Sequence, residues 1–148
     1  MIVKTLVVPV DGSALTERAM GESIELARQL GAAIVGFVVE PDMPLPGMGT
    51  NLTQYGVEAD AHQMRTDTHA HELLTRFGAQ AAAAGVPFST RHERTDRVDA
   101  AIARVAEEFD DAMIVMVTHG RGVFGELLFG SHTKNVMALT KKPLLVLH

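Results

Sequence analysis

The residues of this sequence that could do chemistry are concentrated in one glycine-rich segment of its second half. Gly120, Gly122, Gly125 and Gly130 fall within eleven residues, and Ser131 follows the last of them. Glycine lets backbone N–H groups approach an anion closely, and the start of a helix attracts negative charge. Because a helix is predicted to begin at Gly130, we expect this segment to hold a phosphate group.

Two common nucleotide-binding motifs fit the segment only in part. The run from Gly120 to Gly125 matches G-x-G-x-x-G, but no helix opens there and no acidic residue ends a strand about twenty positions later. The run from Gly125 to Ser131 has the glycine spacing of a P-loop but lacks the lysine that reaches the β- and γ-phosphates. These residues disfavour a dinucleotide-binding fold and exclude the Walker mechanism.

The elements that must position the segment alternate between strand and helix. Apolar runs typical of buried strands predict strands over Ile2 to Val10, Ala33 to Val39, Pro87 to His92, Asp111 to Val117 and Pro143 to Leu147. Helical spacing of apolar residues predicts helices from the Asp11-Gly12-Ser13 break to Leu30, from Ala59 to Ala84, from Val98 to Phe109, and from Gly130 to about Thr140. This order predicts one α/β domain over residues 1–148, a Rossmann-like, open, doubly wound sheet of five mostly parallel strands with helices on both faces.

One segment interrupts this alternation. Prolines and glycines punctuate the stretch from Pro41 to Gly56, which predicts a long loop. Loops of this length in compact domains are usually functional or mobile, so we expect it to close over a ligand. The helix that follows is expected to bury one face, with Met64, Leu74 and Phe77 close to it.

Composition excludes several classes of function. The 148 residues carry 13 Lys and Arg against 18 Asp and Glu, a net charge of −5, with no basic block, so neither nucleic acid nor an anionic membrane is an expected partner. The absence of cysteine excludes disulfides, thiolate nucleophiles and cysteine metal sites, and is compatible with a reducing compartment. No apolar run approaches the length of a membrane helix and no secretory signal is evident, so we expect a cytoplasmic location.

Histidines are the remaining candidates for metal binding or catalysis. His62 and His69 share a face of the predicted long helix whereas His71 points away, which favours an exposed polar helix over a metal site. His119 near Ser131 suggests a nucleophile and its base, but no G-x-S-x-G turn is present. We therefore expect no catalytic residue and no metal site.

The glycine-rich segment resembles the universal stress protein family, whose nucleotide-binding members carry G-x2-G-x9-G-(S/T) before the last helix. Gly120, nine further residues and Gly130 with Ser131 reproduce the second part of that motif. The stretches from Val8 to Ser13 and from Lys142 to Leu147 are also similar to the family, and the resemblance covers the whole chain in the order of its elements.

The resemblance implies a binding site for an adenine nucleotide. Pro9 would line the base pocket, and Asp11 and the backbone near Val38 would hold adenine, although Asp11 could also be a plain helix cap. The backbone from Gly120 to Gly122 would meet ribose and phosphates, and Gly130, Ser131, His132 and Thr133 would hold the phosphate tail. Arg121 would pair with phosphate or simply be an exposed loop arginine.

One position departs from the family motif. Val117 stands where the first glycine of G-x2-G would be. A β-branched residue is costly there if the position needs a positive φ or a close backbone approach to the ligand, and it is harmless if the position only ends a strand.

The resemblance therefore implies a small cytosolic stress-response protein that binds ATP, with ADP and AMP as alternatives and Mg²⁺ as a companion ion, as a sensor or regulator. It also implies a homodimer formed through the strand from Pro143 to Leu147, with a regulatory partner of unknown identity. The alternative is a nucleotide-free interaction module of the same fold that acts through protein partners. A slow ATPase is disfavoured because no general base, carboxylate pair or P-loop lysine is evident near the segment.

Overall fold

The computed structural model describes residues 1–118 and 131–148, and it contains five strands and four helices in these ranges. In chain order the elements are β1 (Thr5–Pro9), α1 (Thr16–Leu30), β2 (Ala33–Glu40), α2 (Leu52–Ala83), β3 (Phe88–Arg94), α3 (Val98–Glu107), β4 (Ala112–Val117), α4 (Ser131–Leu139) and β5 (Leu144–Leu147). No helix within these ranges is long and apolar enough to span a membrane.

The sheet has the strand order β3-β2-β1-β4-β5, and every neighbouring pair is parallel. The chain starts in the middle, winds outward to β3, and then crosses to the other side of β1 with β4 and β5. The reversal of strand order therefore falls between β1 and β4. This confirms the predicted α/β class, and the sheet is fully rather than mostly parallel.

Helices cover both faces of the sheet because its central strands are apolar on both sides. Leu6 and Val8 of β1 pack with α1 and α2 on one face, whereas Val7 packs with α3 and Val136 of α4 on the other. Alternate residues of a strand point to opposite faces, so an unbroken apolar run serves both layers.

The long helix α2 begins seven residues earlier than the sequence pattern predicts, at Leu52 rather than Ala59. The Asn51 side chain accepts hydrogen bonds from the N–H groups of Thr53 and Gln54, at 3.0 and 3.1 Å, and so caps the helix. The predicted loop from Pro41 to Gly56 is shortened accordingly. The expectation that Met64 lies on the buried face is also wrong, since this side chain is 71% exposed.

Only the second half of α2 packs on the sheet. Its buried residues run from Ala70 to Ala81, and no residue of the helix before Ala70 is buried. The 32 residues of α2 span about 48 Å. Since α2 follows the carboxyl end of β2 and runs back toward the start of β3, its first turns extend beyond the carboxyl edge of the sheet.

Candidate functional site

The loop after β1 is held in place by the Asp11 carboxylate. Its Oδ1 accepts a hydrogen bond from the N–H of Ser13 at 2.9 Å and from the Thr16 hydroxyl at 3.4 Å. Helix α1 starts after Leu15 without a side-chain cap, so the interpretation of Asp11 as a helix cap is wrong. No donor from residues 1–118 or 131–148 engages Oδ2, and Asp11 is an exposed residue, so this oxygen is available to a ligand.

The next residue, Gly12, allows α2 to approach the loop. It has a φ of 81°, and an added Cβ would lie 2.6 Å from two atoms of the His69 ring. His69 Nε2 in turn lies 3.4 Å from the backbone oxygen of Asp11. His69 is exposed and helical, as the sequence pattern predicts, and its ring also packs directly against the candidate site, which the pattern does not indicate.

Pro9 and Val38 lie side by side at the carboxyl edge of the sheet. Pro9 pairs in register with Phe37, and the N–H of Val10 donates to the carbonyl of Phe37 at 2.8 Å. Val38 follows as the next residue of β2, and its side chain is 1% exposed. A ligand at this position would therefore contact the backbone of Val38 rather than its buried side chain.

Val117 is the last residue of β4 and pairs in register with Leu147. Its side chain packs against the core between the sheet and the α1–α2 layer. In the part of the chain that the structure describes, only glycines have a positive φ, so Val117 has the extended backbone of an ordinary strand residue. The backbone strain that a valine could cause here is therefore absent.

The first turn of α4 contains the predicted phosphate-binding residues Ser131, His132 and Thr133. Ser131 and His132 are exposed, whereas Thr133 is only 2% exposed. His132 Nδ1 lies 2.7 Å from Asp99 Oδ1, and Asn135 donates to the other oxygen of the same carboxylate at 2.9 Å. These contacts join the starts of α3 and α4 and leave Nε2 as the His132 nitrogen that Asp99 does not engage.

The other predicted phosphate ligands, Gly120, Arg121, Gly122 and Gly130, lie outside the described residues. Their roles stay predictions.

Sequence reasoning missed a polar cluster at the ends of β2 and β3. Glu40 Oε2 lies 3.2 Å from His92 Nε2 and 3.4 Å from Arg94 Nη2, and Arg94 Nη2 donates to Asp67 Oδ1 of α2 at 2.7 Å. One signal was available: Glu40 ends an otherwise apolar strand, and a charged residue at a buried strand position requires a partner.

Together these elements form an edge at which a ligand can be placed by the topology of the sheet. In open parallel sheets, ligands bind beyond the carboxyl ends of the strands where strand order reverses, here between β1 and β4. Asp11 follows β1 at this place, Thr118 follows β4, and α4 begins at Ser131. The arrangement offers a carboxylate acceptor on one side and a helix start on the other.

A model of the universal stress protein family matches residues 3–148. The chain therefore belongs to this family, which agrees with the resemblance of its glycine-rich segment. A search of curated proteins gave no significant match.

Solved structures with the same fold include a universal stress protein family member from Burkholderia pseudomallei, with 20% identity, a TM-score of 0.76, and 98% of this chain and 96% of that chain covered. A universal stress protein in complex with cAMP is 23% identical, with a TM-score of 0.67 and coverage of 100% and 98%. A universal stress protein from Archaeoglobus fulgidus in complex with dAMP is 24% identical, with a TM-score of 0.61 and both chains fully covered.

Proposed function

We propose that this protein is a single-domain adenine-nucleotide-binding member of the universal stress protein family, with ATP as its first candidate ligand. The observation that carries the proposal is the position of Asp11 and of the start of α4 on either side of the strand-order reversal between β1 and β4. Two proteins of the same fold hold the adenine nucleotides cAMP and dAMP.

In this proposal the β1–α1 loop recognises the nucleoside and the start of α4 meets the phosphates. Asp11 Oδ2 accepts from the adenine amino group or a ribose hydroxyl, while the bonds from Ser13 and Thr16 hold the carboxylate in place. The Ser131 hydroxyl and the backbone N–H groups of the first turn, which includes His132 and Thr133, donate to the phosphate tail at a helix start, where the helix dipole favours negative charge. Mg²⁺ would accompany the phosphates.

We further propose that the protein is a sensor or regulator in the cytoplasm and not an enzyme. The described carboxyl edge offers no pair of carboxylates at the start of α4 that would hold a metal over phosphates, since Asp99 is engaged by His132 and Asn135. ATP turnover above background that disappears in Ser131→Ala would overturn this part of the proposal.

Binding is tested by denaturing the purified protein and assaying the supernatant for released adenine nucleotide, followed by titration of ATP into stripped protein. We expect Asp11→Ala to weaken ATP binding at least about tenfold, close to 1.4 kcal/mol. Asp42→Ala is the matched control, because Asp42 is an exposed aspartate that follows β2 at the same edge of the sheet.

A specific observation also favours the nucleotide-free alternative, in which the same fold acts only through protein partners. The side chain of Val117 occupies a position that the family motif gives to glycine, although its backbone is unstrained. If wild-type protein fails to bind ATP and Val117→Gly binds it, the valine closes the pocket and the alternative holds. If neither binds ATP, the proposed site is wrong.

The same family membership leads us to propose a homodimer through β5. The two edges of the sheet differ in chemistry: β3 carries the polar run from Ser89 to Arg94, whereas β5 is Leu144 to Leu147, entirely apolar. An apolar edge strand is a site for pairing with another strand, and charged residues discourage such pairing.

A further inference from the structure

The polar cluster at the ends of β2 and β3 shares no residue with the proposed nucleotide site. Glu40 pairs in register with Arg94, and Val38 pairs with His92. Since residues two apart share a face of a strand, His92 and Arg94 both point toward α2, where Asp67 meets them. On the opposite face of β3, Glu93 pairs with Arg104 of α3, and Arg91 pairs with Glu108, the residue after α3.

The donor atoms of Glu40, Asp67 and His92 are close enough to share one ion. One ligand atom from each of these side chains lies within 4.8 Å of the other two. Carboxylate oxygens and imidazole nitrogens are ligands that Zn²⁺ and other divalent transition metals accept, and three protein ligands leave a fourth position of Zn²⁺ open.

A second observation points to a ligand at the same place. The Glu40 side chain is 5% exposed, and its Oε1 has no hydrogen-bond partner among the residues that the structure describes. Buried carboxylate oxygens are normally paired or coordinate a metal. One oxygen of this buried carboxylate therefore has no described partner and can still bind a ligand.

The charges of the cluster also leave room for a cation. Glu40 and Asp67 carry two negative charges, and Arg94 supplies one positive charge, shared between them. Arg94 Nη1 is buried without a hydrogen-bond partner among the described residues, and so is Glu40 Oε1, so the guanidinium does not fully satisfy the cluster. Counting the two carboxylates and the guanidinium, the cluster carries more negative than positive charge, which a cation would offset.

We propose that Glu40, Asp67 and His92 form a binding site for a divalent transition metal of the zinc type, and that the metal competes with the Arg94 guanidinium for the two carboxylates. The metal would bond Glu40, Asp67 Oδ1 and His92 Nε2. Arg94 would turn outward, which its 21% exposed side chain allows. Because the donors belong to β2, β3 and α2, binding would fasten the long helix to the edge of the sheet.

The test is calorimetric titration of ZnCl₂ into the full-length protein in a non-coordinating buffer, with thermal unfolding measured in parallel. We expect one zinc per chain and a zinc-dependent rise in Tm, and no rise with MgCl₂ because Mg²⁺ prefers an all-oxygen site. His92→Gln and Asp67→Asn should each weaken zinc binding at least about tenfold. Asp67 is half exposed, so its substitution is not expected to prevent folding.

Two further variants separate a metal site from an ordinary ion-pair network. His71→Gln is the matched control, because His71 is an exposed histidine on the same helix outside the cluster, and it should bind zinc like wild type. Arg94→Gln removes the competing cation, so this variant should bind zinc about tenfold more tightly than wild type. Its Tm should be lower than that of wild type without zinc and should recover when zinc is added.

The proposal is wrong if neither wild type nor Arg94→Gln shows a zinc-dependent change in Tm. It is also wrong if His92→Gln binds zinc as tightly as wild type, since the ion would then be held by other histidines.

Discussion

At the scale of single residues, the candidate site depends on a contact between a glycine and a histidine that are far apart in the chain. Gly12 has a left-handed backbone, and the His69 ring fills the space where its side chain would be. Only glycine meets both requirements without strain. The loop that carries Asp11 is therefore shaped jointly by its own conformation and by α2.

We expect Gly12→Ala to lower the free energy of unfolding by about 1–3 kcal/mol, through its positive φ and its clash with His69. For a chain of this size the Tm should fall by about 2–4 °C per kcal/mol. Gly21→Ala is the control, because Gly21 lies in α1 with open space around it and the change should stabilise the helix by up to about 1 kcal/mol.

Adding His69→Ala to Gly12→Ala separates the two causes, since it removes the clash and leaves the strained φ. Recovery of part of the lost stability is expected. An unchanged Tm in Gly12→Ala alone would show that the loop does not need this close approach.

At the scale of elements, the two halves of α2 are stabilised by different interactions. Its second half is fixed to the sheet by buried residues such as Phe77, whose ring makes a tilted contact with that of Phe88 of β3, at a centroid distance of 5.0 Å and an interplanar angle of 51°. Its first half has no buried residue, and beyond the Asn51 cap its contacts are polar ones at the surface, such as Tyr55 with the Pro44 carbonyl and Asp67 with Arg94. A helix segment without buried packing is marginal by itself, so this half should open locally.

We therefore expect Asn51→Ala to cost about 1 kcal/mol locally, because two N–H groups at the start of α2 lose their acceptor. Amide hydrogen exchange should quicken over residues 52–62, with little change in the global Tm. Asn51→Asp is the control, because aspartate keeps the acceptor and should preserve protection. Equal protection in Asn51→Ala and wild type would contradict the assigned role of the cap.

At the scale of the whole molecule, the two edge strands of the sheet, β3 and β5, are the places where a second chain could pair. The carbonyl of Pro143 accepts from Ile114 of β4 and that of Leu147 from Thr118, the residue after β4. The two-residue period of a strand therefore directs the backbone of Leu144 and Val146 away from the sheet. A second copy of the chain could pair with these outward groups.

Val146→Pro removes an outward N–H of β5 and should convert a dimer into a monomer in sedimentation analysis, with the fold retained. Thr90→Pro is the matched control on the opposite edge. The carbonyl of Pro87 accepts from β2, which directs the backbone of Thr90 outward in the same way. Dissociation by the Thr90 change rather than the Val146 change would place the dimer at β3.

The fold was largely predictable because the pattern of apolar residues within each segment indicates which of its faces are buried. Unbroken apolar runs such as Ala112–Val117 and the spacing of Val98, Ile102 and Val105 indicated β4 and α3. The start of α2 was not predicted, because Gly56 and the prolines before it outweighed the capping signal of Asn51 in the pattern.

The sequence by itself determined the order of strands and helices, the parallel α/β class and the family, since each follows from neighbouring residues or from motifs of fixed spacing. Only the tertiary structure decided that His69 packs on Gly12, that Asp99 holds His132, and that Glu40 meets Asp67 and His92. These contacts join residues that are between 27 and 57 positions apart in the sequence. Strand register and helix crossing bring them together, and no local pattern of polar and apolar residues specifies either.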